Sequence, residues 1–368
     1  MRRALGAIGA VLLGTIVFLV ARPAPIDPVA WTPPRMTALE GPLAPNEALR
    51  ATERLVEDRI QGPEDVAFDA EGRVYASTAE GTVVRLTPDD GLETWAATGG
   101  RPLGLRFDGA GRLLVCDAAK GLLVVDPDGR VRALATEAEG VPLRHTNNLD
   151  VARDGRVYFT DASDRFGPPD YMLDLLEGRP HGRLLRYDPA SGRTEVLRRG
   201  LFFANGVALS ADESFVLVSE TWRYRITRVW LSGAMAGAAD TFVDGLPGFP
   251  DNLSRSPRGS FWAALFTVRN PTADLLAPRP WARSLLVRLP RALWPKPEPY
   301  GLVLELGADG RILRSLHDAG GRRVSQVTTA REHDGWLYLG TLEGRWLARL
   351  RPEGRPSLEG EEKGSLRA

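Results

Sequence analysis

Two carboxylates and two amides recur at one shared position in six similar segments, and together they would form an oxygen-rich site for a hard cation. The segments begin at Gly62, Arg101, His145, Phe203, Phe249 and Ser325. In five of them a glycine lies eight residues after the shared position, as in GPEDVAFDAEGRVYAS. The shared position is occupied in turn by Glu64, Leu103, Asn147, Asn205, Asp251 and Val327. All-oxygen ligation with two negative charges suits Ca²⁺, which takes about six to eight flexible oxygen ligands.

Asn252 follows Asp251 directly and could add a fifth oxygen to this set. Zn²⁺ is disfavoured because no histidine or cysteine shares the position. Mg²⁺ and Mn²⁺ remain alternatives. The structural alternative is that Asn and Asp cap turns at the starts of strands, as they often do. Four oxygen-bearing residues in equivalent phase favour the metal site over this alternative.

The elements that must position these residues are short strands. From about Leu55 to Pro352 the sequence alternates apolar runs with Asp/Gly/Pro turns, as in LLVVDPDGR and LLRYDPASGR, which is typical of β-hairpins. The shared positions are 39, 44, 58, 46 and 76 residues apart. A unit of about 40 residues with four short strands is typical of a propeller blade. The sequence therefore predicts an all-β fold, a six-bladed β-propeller over residues 51–352. Inner strands of such a ring line one channel, so Glu64, Asn147, Asn205 and Asp251 should meet there.

The two longest spacings contain insertions at Ser163–Gly182 and Arg269–Gly301. The second insertion mixes Trp281, Leu285 and Trp294 with arginines. It is interpreted as a helical decoration packed on the blades. The alternative is a lid over the channel mouth or a surface that touches a membrane, because tryptophan and arginine suit such an interface.

The N-terminus predicts a transmembrane helix. Met1-Arg2-Arg3 precedes Ala4–Ala21, eighteen residues without a charge, and such a helix is about 27 Å long, near the thickness of a bilayer core. Residues 1–21 are therefore expected to anchor a single-pass protein with its propeller on the extracytoplasmic side. A cleaved signal peptide, which would give a secreted protein, is the alternative. Seven prolines in residues 22–50 predict an extended linker. Residues 353–368 contain few apolar residues and are expected to be disordered.

Composition excludes some functions. The chain has 47 basic and 47 acidic residues, so nothing in its net charge favours nucleic-acid binding. The single cysteine, Cys116, lies in an apolar run and is expected to be a buried core residue. No Gly-x-Ser-x-Gly or His-Glu-x-x-His motif occurs, so serine-hydrolase and zincin chemistry have no support.

The stretches that carry a family resemblance are GPEDVAFD, NNLDVARDGRVYFTDAS, HGRLLRYDPASG, FANGVALSADE, GFPDNL and EHDGWLYLGTL. The chain resembles the calcium-dependent propeller superfamily of gluconolactonases, senescence-marker-type proteins, paraoxonases and strictosidine synthase-like proteins. Within it, the chain is most similar to the membrane-anchored subgroup of adipocyte plasma membrane-associated protein. The resemblance implies metal ligation by Glu64, Asn147, Asn205 and Asp251, and paraoxonase-like members add the residue that matches Asn252.

Two departures from the family pattern matter. Many lactonase members have Asn-Asp where this chain has Asn147-Asn148. Strictosidine synthases use a glutamate shortly before the segment that matches Glu332–Gly335, whereas residues 325–331 contain no carboxylate here. The sequence therefore argues against the alkaloid-forming condensation.

The leading hypothesis is a membrane-anchored, Ca²⁺-dependent hydrolase of small-molecule esters or lactones. The ion would stabilise the oxyanion, while Asp251 or Glu64 activates water, with His145 and His181 as further candidate bases. The alternative is a non-catalytic propeller that uses Ca²⁺ to hold its channel closed and binds a ligand or partner.

Overall fold

The computed structural model describes residues 22–87 and 91–352. Within them the chain forms six four-stranded antiparallel sheets, which confirms the all-β, six-bladed propeller. Five of the blades take four consecutive strands in chain order, because Asp/Gly turns interrupt runs of apolar residues, and the sixth takes three. Adjacent sheets pack face to face, as Leu114 and Leu149 do between the second and third blades.

The strands of each blade are as follows. The first blade contains β2 (Val66–Phe68), β3 (Val74–Ser77), β4 (Thr82–Leu86) and β5 (Leu92–Ala97). The second contains β6 (Pro102–Phe107), β7 (Leu113–Asp117), β8 (Gly121–Val125) and β9 (Val131–Ala135), and a small hairpin follows, β10 (Glu137–Ala138) with β11 (Val141–Pro142). The third contains β12 (Thr146–Val151), β13 (Val157–Asp161), β14 (Gly182–Asp188) and β15 (Arg193–Leu201).

The fourth blade contains β16 (Ala204–Leu209), β17 (Phe215–Glu220), β18 (Arg225–Trp230) and β19 (Ala239–Val243). The fifth contains β20 (Gly248–Arg255), β21 (Phe261–Val268), β22 (Gly301–Leu306) and β23 (Ile312–Asp318). The sixth contains β24 (Val327–His333), β25 (Trp336–Thr341) and β26 (Leu347–Leu350), and its outer strand is β1 (Glu53–Leu55) from the other end of the chain. β1 pairs with β26 and so closes the ring, with Glu53 opposite Arg349.

A β-bulge interrupts the inner strand of five blades near its start. The register shifts between Thr146 and Leu149 in β12, and the same shift occurs in β6, β16, β20 and β24. A bulge re-aims a side chain out of the regular alternation. Asn147, Asn205 and Asp251 are each the first residue of such a bulge, and each lines the central cavity.

The prediction of Val327 at the sixth shared position is wrong by one residue. In β24 the register shifts between Val327 and Ala330, so Thr328 is the first bulge residue. The cause is the following hairpin, in which His333 pairs with Trp336 and only two residues form the turn. Counting eight residues back from the glycine therefore gives a position one residue too early in this blade. Thr328 adds no oxygen to the set, since its hydroxyl donates to the Glu64 carbonyl at 2.7 Å.

The glycines in the hairpin turns are explained by the backbone conformation at these positions. Gly155 lies in the turn before β13 with a φ of 85°, in the left-handed region where L side chains are disfavoured. In the fourth blade Glu213 adopts the same conformation with a φ of 58°. Its side chain compensates, because Oε1 accepts a hydrogen bond from the Arg153 backbone N–H at 2.9 Å.

Both insertions contain helices. The first holds α1 (Tyr171–Glu177), and the second holds α2 (Pro271–Leu276), α3 (Pro280–Leu286) and a 3₁₀ turn at Arg291–Leu293. Other 3₁₀ turns lie at Gly41–Leu43, Ala48–Ala51, Thr221–Arg223 and Gly233–Met235.

Residues 22–50, predicted to be a linker, lie against the propeller. Ile26, Leu43 and Leu49 are buried there, and the Val29 N–H donates to the Glu177 carbonyl at 3.0 Å. The prolines keep this segment extended, but its apolar side chains pack against the propeller. The predicted membrane helix at residues 1–21 and the predicted disordered tail at residues 353–368 lie outside the described residues. Among the residues that are described, no helix has the length and apolar character needed to cross a bilayer.

Candidate metal centre

The four predicted ligands lie together on the floor of one cavity. Glu64 precedes β2, while Asn147, Asn205 and Asp251 lie at the bulges of β12, β16 and β20. The cavity has a volume of about 510 Å³. Leu103 from the second blade also lines it. Oxygen-bearing side chains from four of the six blades therefore face the same space.

Each of these side chains has a buried oxygen without a hydrogen-bond partner among the described residues. The unpartnered atoms are Glu64 Oε2, Asn147 Oδ1, Asn205 Oδ1, Asp251 Oδ1 and Asn252 Oδ1. A buried acceptor left unpaired costs about 1–3 kcal/mol. Five of them would cost about 5–15 kcal/mol, as much as the whole stability of a typical protein. The set therefore fits a cation that accepts several oxygen ligands at once.

Asn252 has a different position from the other four residues. It is buried but is not among the residues that line the cavity. Its Nδ2 donates to Glu64 Oε1 at 2.9 Å. Asn252 therefore orients the Glu64 carboxylate, and its own Oδ1 is available as a further ligand.

The protein balances the charges at the site only in part, because the charge of Arg101 lowers the pKa of Glu64 but is outweighed by burial and by Asp251. Burial raises the pKa of Glu64 well above its ordinary value, and the charge of Asp251 adds to this. Burial likewise raises the pKa of Asp251 to about 8, although a hydrogen bond from the Asn205 side chain opposes the shift. Two carboxylates held in this way favour the binding of an external cation.

The neighbouring carboxylate of Asp65, by contrast, forms ion pairs with arginines. Asp65 is also buried, but Arg106 Nη1 lies 2.9 Å from its Oδ2, and Arg331 Nη2 lies 3.3 Å from its Oδ1. Although burial acts in the opposite direction, these two guanidinium groups hold the pKa of Asp65 below its ordinary value. Two arginines therefore form ion pairs with Asp65, whereas among the described residues none forms an ion pair with Glu64 or Asp251.

No cluster of three or more His, Cys, Asp or Glu side chains with metal-binding geometry occurs in the described residues. The proposed ligand set is not such a cluster, because asparagine side-chain amides supply three of its five oxygens. Ca²⁺ accepts neutral amide oxygens, whereas Zn²⁺ prefers nitrogen and sulfur ligands.

A second ring of side chains surrounds the floor, and of its members only His145 was singled out from the sequence. It lies two residues before each first bulge residue, and four of its members line the cavity: Arg101, His145, Phe203 and Phe249. In two of these loops a carboxylate at the end of the next strand accepts a hydrogen bond from the ring residue. Asp117 accepts from the Arg101 backbone N–H at 3.0 Å, and Asp161 accepts from that of His145 at 2.7 Å. The phasing that found the ligands would also have found this ring.

His145 lies in the cavity wall, whereas His181 does not line the cavity. The His145 ring packs against Tyr171 and Phe203, at centroid distances of 6.1 and 5.2 Å. Burial lowers its pKa to about 4, so the imidazole is neutral at physiological pH. His181 instead contacts Glu177 Oε2 at 2.8 Å, outside the cavity.

The two insertions cover the cavity. We call residues 168–176 and 270–297 the roof; within it, Tyr171, Leu176, Ala277 and Trp294 face the cavity. Arg283 joins its parts, because its guanidinium donates to the carbonyls of Leu176 and Ala277, both at 3.0 Å, and also to that of Val29. The second insertion is thus both a helical decoration and part of a lid. Most of the roof lining is apolar, so the cavity fits a ligand with an apolar body.

A carboxylate from the sixth blade, Glu343, lies at the cavity rim. It is exposed and follows β25 rather than preceding β24. Glu332, the nearest carboxylate in β24, accepts hydrogen bonds from Ser256 Oγ at 2.8 Å and Trp262 Nε1 at 3.1 Å and does not line the cavity.

Comparison with known proteins places the chain in a family. The Strictosidine synthase family model matches residues 147–234, and the model for the strictosidine synthase-like N-terminal region matches residues 41–86. Adipocyte plasma membrane-associated protein of Rattus norvegicus is 40% identical over 363 residues, covering 92% of this chain and 95% of the relative. The chain belongs to the strictosidine synthase-like family that includes this protein. Strictosidine synthase-like 10 of Arabidopsis thaliana is 39% identical over 310 residues, covering 76% of this chain and 83% of that protein.

Solved structures share the fold of this family member. A gluconolactonase from Xanthomonas campestris superimposes with a TM-score of 0.59 at 21% identity, covering 90% of this chain and 99% of that one. The calcium-binding protein regucalcin from Agrobacterium tumefaciens gives a TM-score of 0.57 at 16% identity, covering 81% and 92%. At these identities the likeness shows the propeller fold alone.

Proposed function

We propose that this protein is a membrane-anchored hydrolase of esters or lactones that depends on Ca²⁺. The observation that carries the proposal is the set of five unpartnered buried oxygens, four from residues at the floor of a largely apolar cavity and the fifth from the adjacent Asn252. The residues that would hold the ion are Glu64, Asn147, Asn205, Asp251 and Asn252. A bound Ca²⁺ would polarise the substrate carbonyl and stabilise the negative charge that develops on its oxygen.

The protein's own groups would bind the substrate and move the proton. The aromatic wall of Tyr171, Phe203 and Phe249 would pack against the apolar body of the substrate and exclude water. Asp251, Glu64 and His145 are the candidate bases for the attacking water. Of these, His145 does not hold the ion, is neutral at physiological pH, and has an Nδ1 without a partner among the described residues.

Names and folds of similar proteins support parts of this proposal. Relatives at about 40% identity carry a name that describes association with the plasma membrane, which agrees with an anchor at residues 1–21. A gluconolactonase and a calcium-binding regucalcin share the propeller fold. Alkaloid-forming condensation is not proposed, because the start of β24 supplies no carboxylate to the cavity.

One observation favours a second candidate, a non-catalytic binding module. The unpartnered oxygens come from the first, third, fourth and fifth blades. An ion held by all of them would join four blades and stabilise the ring without any turnover.

A panel of aryl esters and lactones, assayed with Ca²⁺ and with a chelator, tests the proposal. Turnover should require Ca²⁺ and should be lost in Asp251→Ala. Asp128→Ala, in an exposed loop at the other end of the propeller, is the control and should keep full activity. Turnover retained in Asp251→Ala and in chelator would refute the mechanism. Ca²⁺ binding without turnover of any substrate would favour the binding module.

A further inference from the structure

Part of the roof presents apolar side chains to the outside. The exposed fractions are 58% for Leu275, 67% for Trp281, 41% for Leu285 and 64% for Leu293. Trp281 and Leu285 are four residues apart in α3 and therefore lie on one face of that helix. The other side of α3 packs into the roof, where Arg283 is buried and Leu286 contacts the cluster of Ile26 and its neighbours. We call Leu275, Trp281, Leu285 and Leu293 the outer face.

Basic residues accompany the outer face. Between Leu275 and Pro297 the sequence has four arginines and one lysine and no acidic residue. Arg279 and Lys296 are exposed, and Arg291 is exposed but forms an ion pair with Asp170. Exposed tryptophan and leucine beside arginine and lysine are typical of a surface that binds anionic lipid headgroups and inserts apolar side chains between them.

The described chain also begins at this part of the roof. Arg288 Nε donates to the Arg22 carbonyl at 2.8 Å, and the apolar sequence Ala4–Ala21 ends one residue earlier. Any bilayer that holds this sequence is therefore close to α3. The position of Arg22 and the basic character of the outer face therefore both favour an anionic membrane as the binding partner of this face.

We infer that the outer face lies on an anionic lipid surface, so that the cavity mouth opens at the membrane interface. Arg291 and Trp294 line the cavity on either side of Leu293 in the sequence, so the outer face adjoins the mouth. If the proposed hydrolase activity holds, substrates would be amphiphilic esters or lactones that enter from the lipid. The docking itself does not depend on catalysis.

Site-specific fluorescence quenching tests this inference in the full-length protein. Trp281→Cys and Leu285→Cys would each be labelled with an environment-sensitive fluorophore, and the protein would be reconstituted in vesicles with nitroxide-labelled lipid chains. The only native cysteine, Cys116, is buried, and burial raises its pKa, so the unsubstituted protein provides the background. Ala110→Cys, in the exposed β6–β7 loop at the other end of the propeller, is the matched control.

Labels at 281 and 285 should be quenched at least about twofold more than the label at 110, and more strongly in phosphatidylglycerol-containing vesicles than in pure phosphatidylcholine. Equal quenching at 281 and 110 in protein that floats with the vesicles would overturn the docking and leave the anchor intact. Protein that does not float with the vesicles would contradict the docking and the anchor together. Labels at 281 that are shielded in proportion to protein concentration, without lipid quenching, would assign the face to a second copy of the chain and overturn the inference.

Discussion

Replacing Asp251 with asparagine should raise the melting temperature in chelator and remove most of the stabilisation by Ca²⁺. Burial raises the pKa of Asp251 to about 8. Stability linked to a group with a raised pKa is fully present below the unfolded pKa, about 4, and is lost as the pH rises through 8. At pH 7 the ion-free folded state must therefore keep a proton that the unfolded state has released. Asparagine carries no charge and removes this requirement.

The size of the effect follows from the shift. Each pH unit between about 4 and 7 costs about 1.4 kcal/mol, so the native protein loses about 4 kcal/mol at pH 7 without Ca²⁺. For a propeller of roughly 300 residues the unfolding entropy is about 0.6 kcal/mol/K, so the variant should melt about 6–7 °C higher in chelator. Ca²⁺ at about 100 times its Kd should stabilise the native protein by about 2.7 kcal/mol, or about 4 °C. The variant, lacking one charged ligand, should respond little.

Differential scanning fluorimetry at pH 7, with chelator and with Ca²⁺, measures both effects. Asp128→Asn is the control for removal of an aspartate charge and should leave the Ca²⁺ response unchanged, because Asp128 lies in an exposed loop. The reasoning is refuted if Asp251→Asn melts below the native protein in chelator while Ca²⁺ stabilises both equally.

Two further predictions concern the roof. Burial raises the pKa of Asp174 in α1 to about 7, so its contribution to stability is lost as the pH rises from about 4 through 7. The Asp174→Asn variant should therefore melt at a higher temperature than the native protein at pH 8 but not at pH 4. A difference in melting temperature that does not depend on pH would contradict this. Arg283→Met should destabilise the protein by about 3 kcal/mol, because the carbonyls of Val29, Leu176 and Ala277 lose a charged donor. Amide hydrogen exchange should accelerate in residues 27–31 and 171–177. Unchanged exchange in these residues would show that Arg283 does not hold the roof together.

The phasing of turns and strands predicted the ring because each blade is a local hairpin repeat. Glu64, Asn147, Asn205 and Asp251 were found for the same reason, since each lies a constant distance before its hairpin. Thr328 was missed because that distance depends on turn length, and the β24–β25 turn has two residues. Insertion geometry is not periodic. The role of Arg283 within the roof could therefore not be derived from local patterns, because its hydrogen-bond partners are 107 and 254 residues away in sequence.

The arrangement of the cavity wall depends on contacts within blades and between them. Asp161 holds the His145 loop through the backbone, and a carboxylate next to an apolar strand end gives no sign of this role in the sequence. The neutralisation of Asp65 by Arg106 and Arg331 likewise joins residues from three different blades. Only the folded ring shows that, in the described part of the chain, no arginine forms an ion pair with Glu64 or Asp251, although Arg101 acts on Glu64 from a greater distance.

The most direct test of the central claim is titration of the metal-free full-length protein with Ca²⁺ by isothermal titration calorimetry. The oxygen cluster predicts one ion per chain, with binding weakened strongly in Glu64→Gln and in Asp251→Asn but unchanged in Asp128→Asn. Absence of binding, or binding that survives both substitutions at the cluster, would contradict the account.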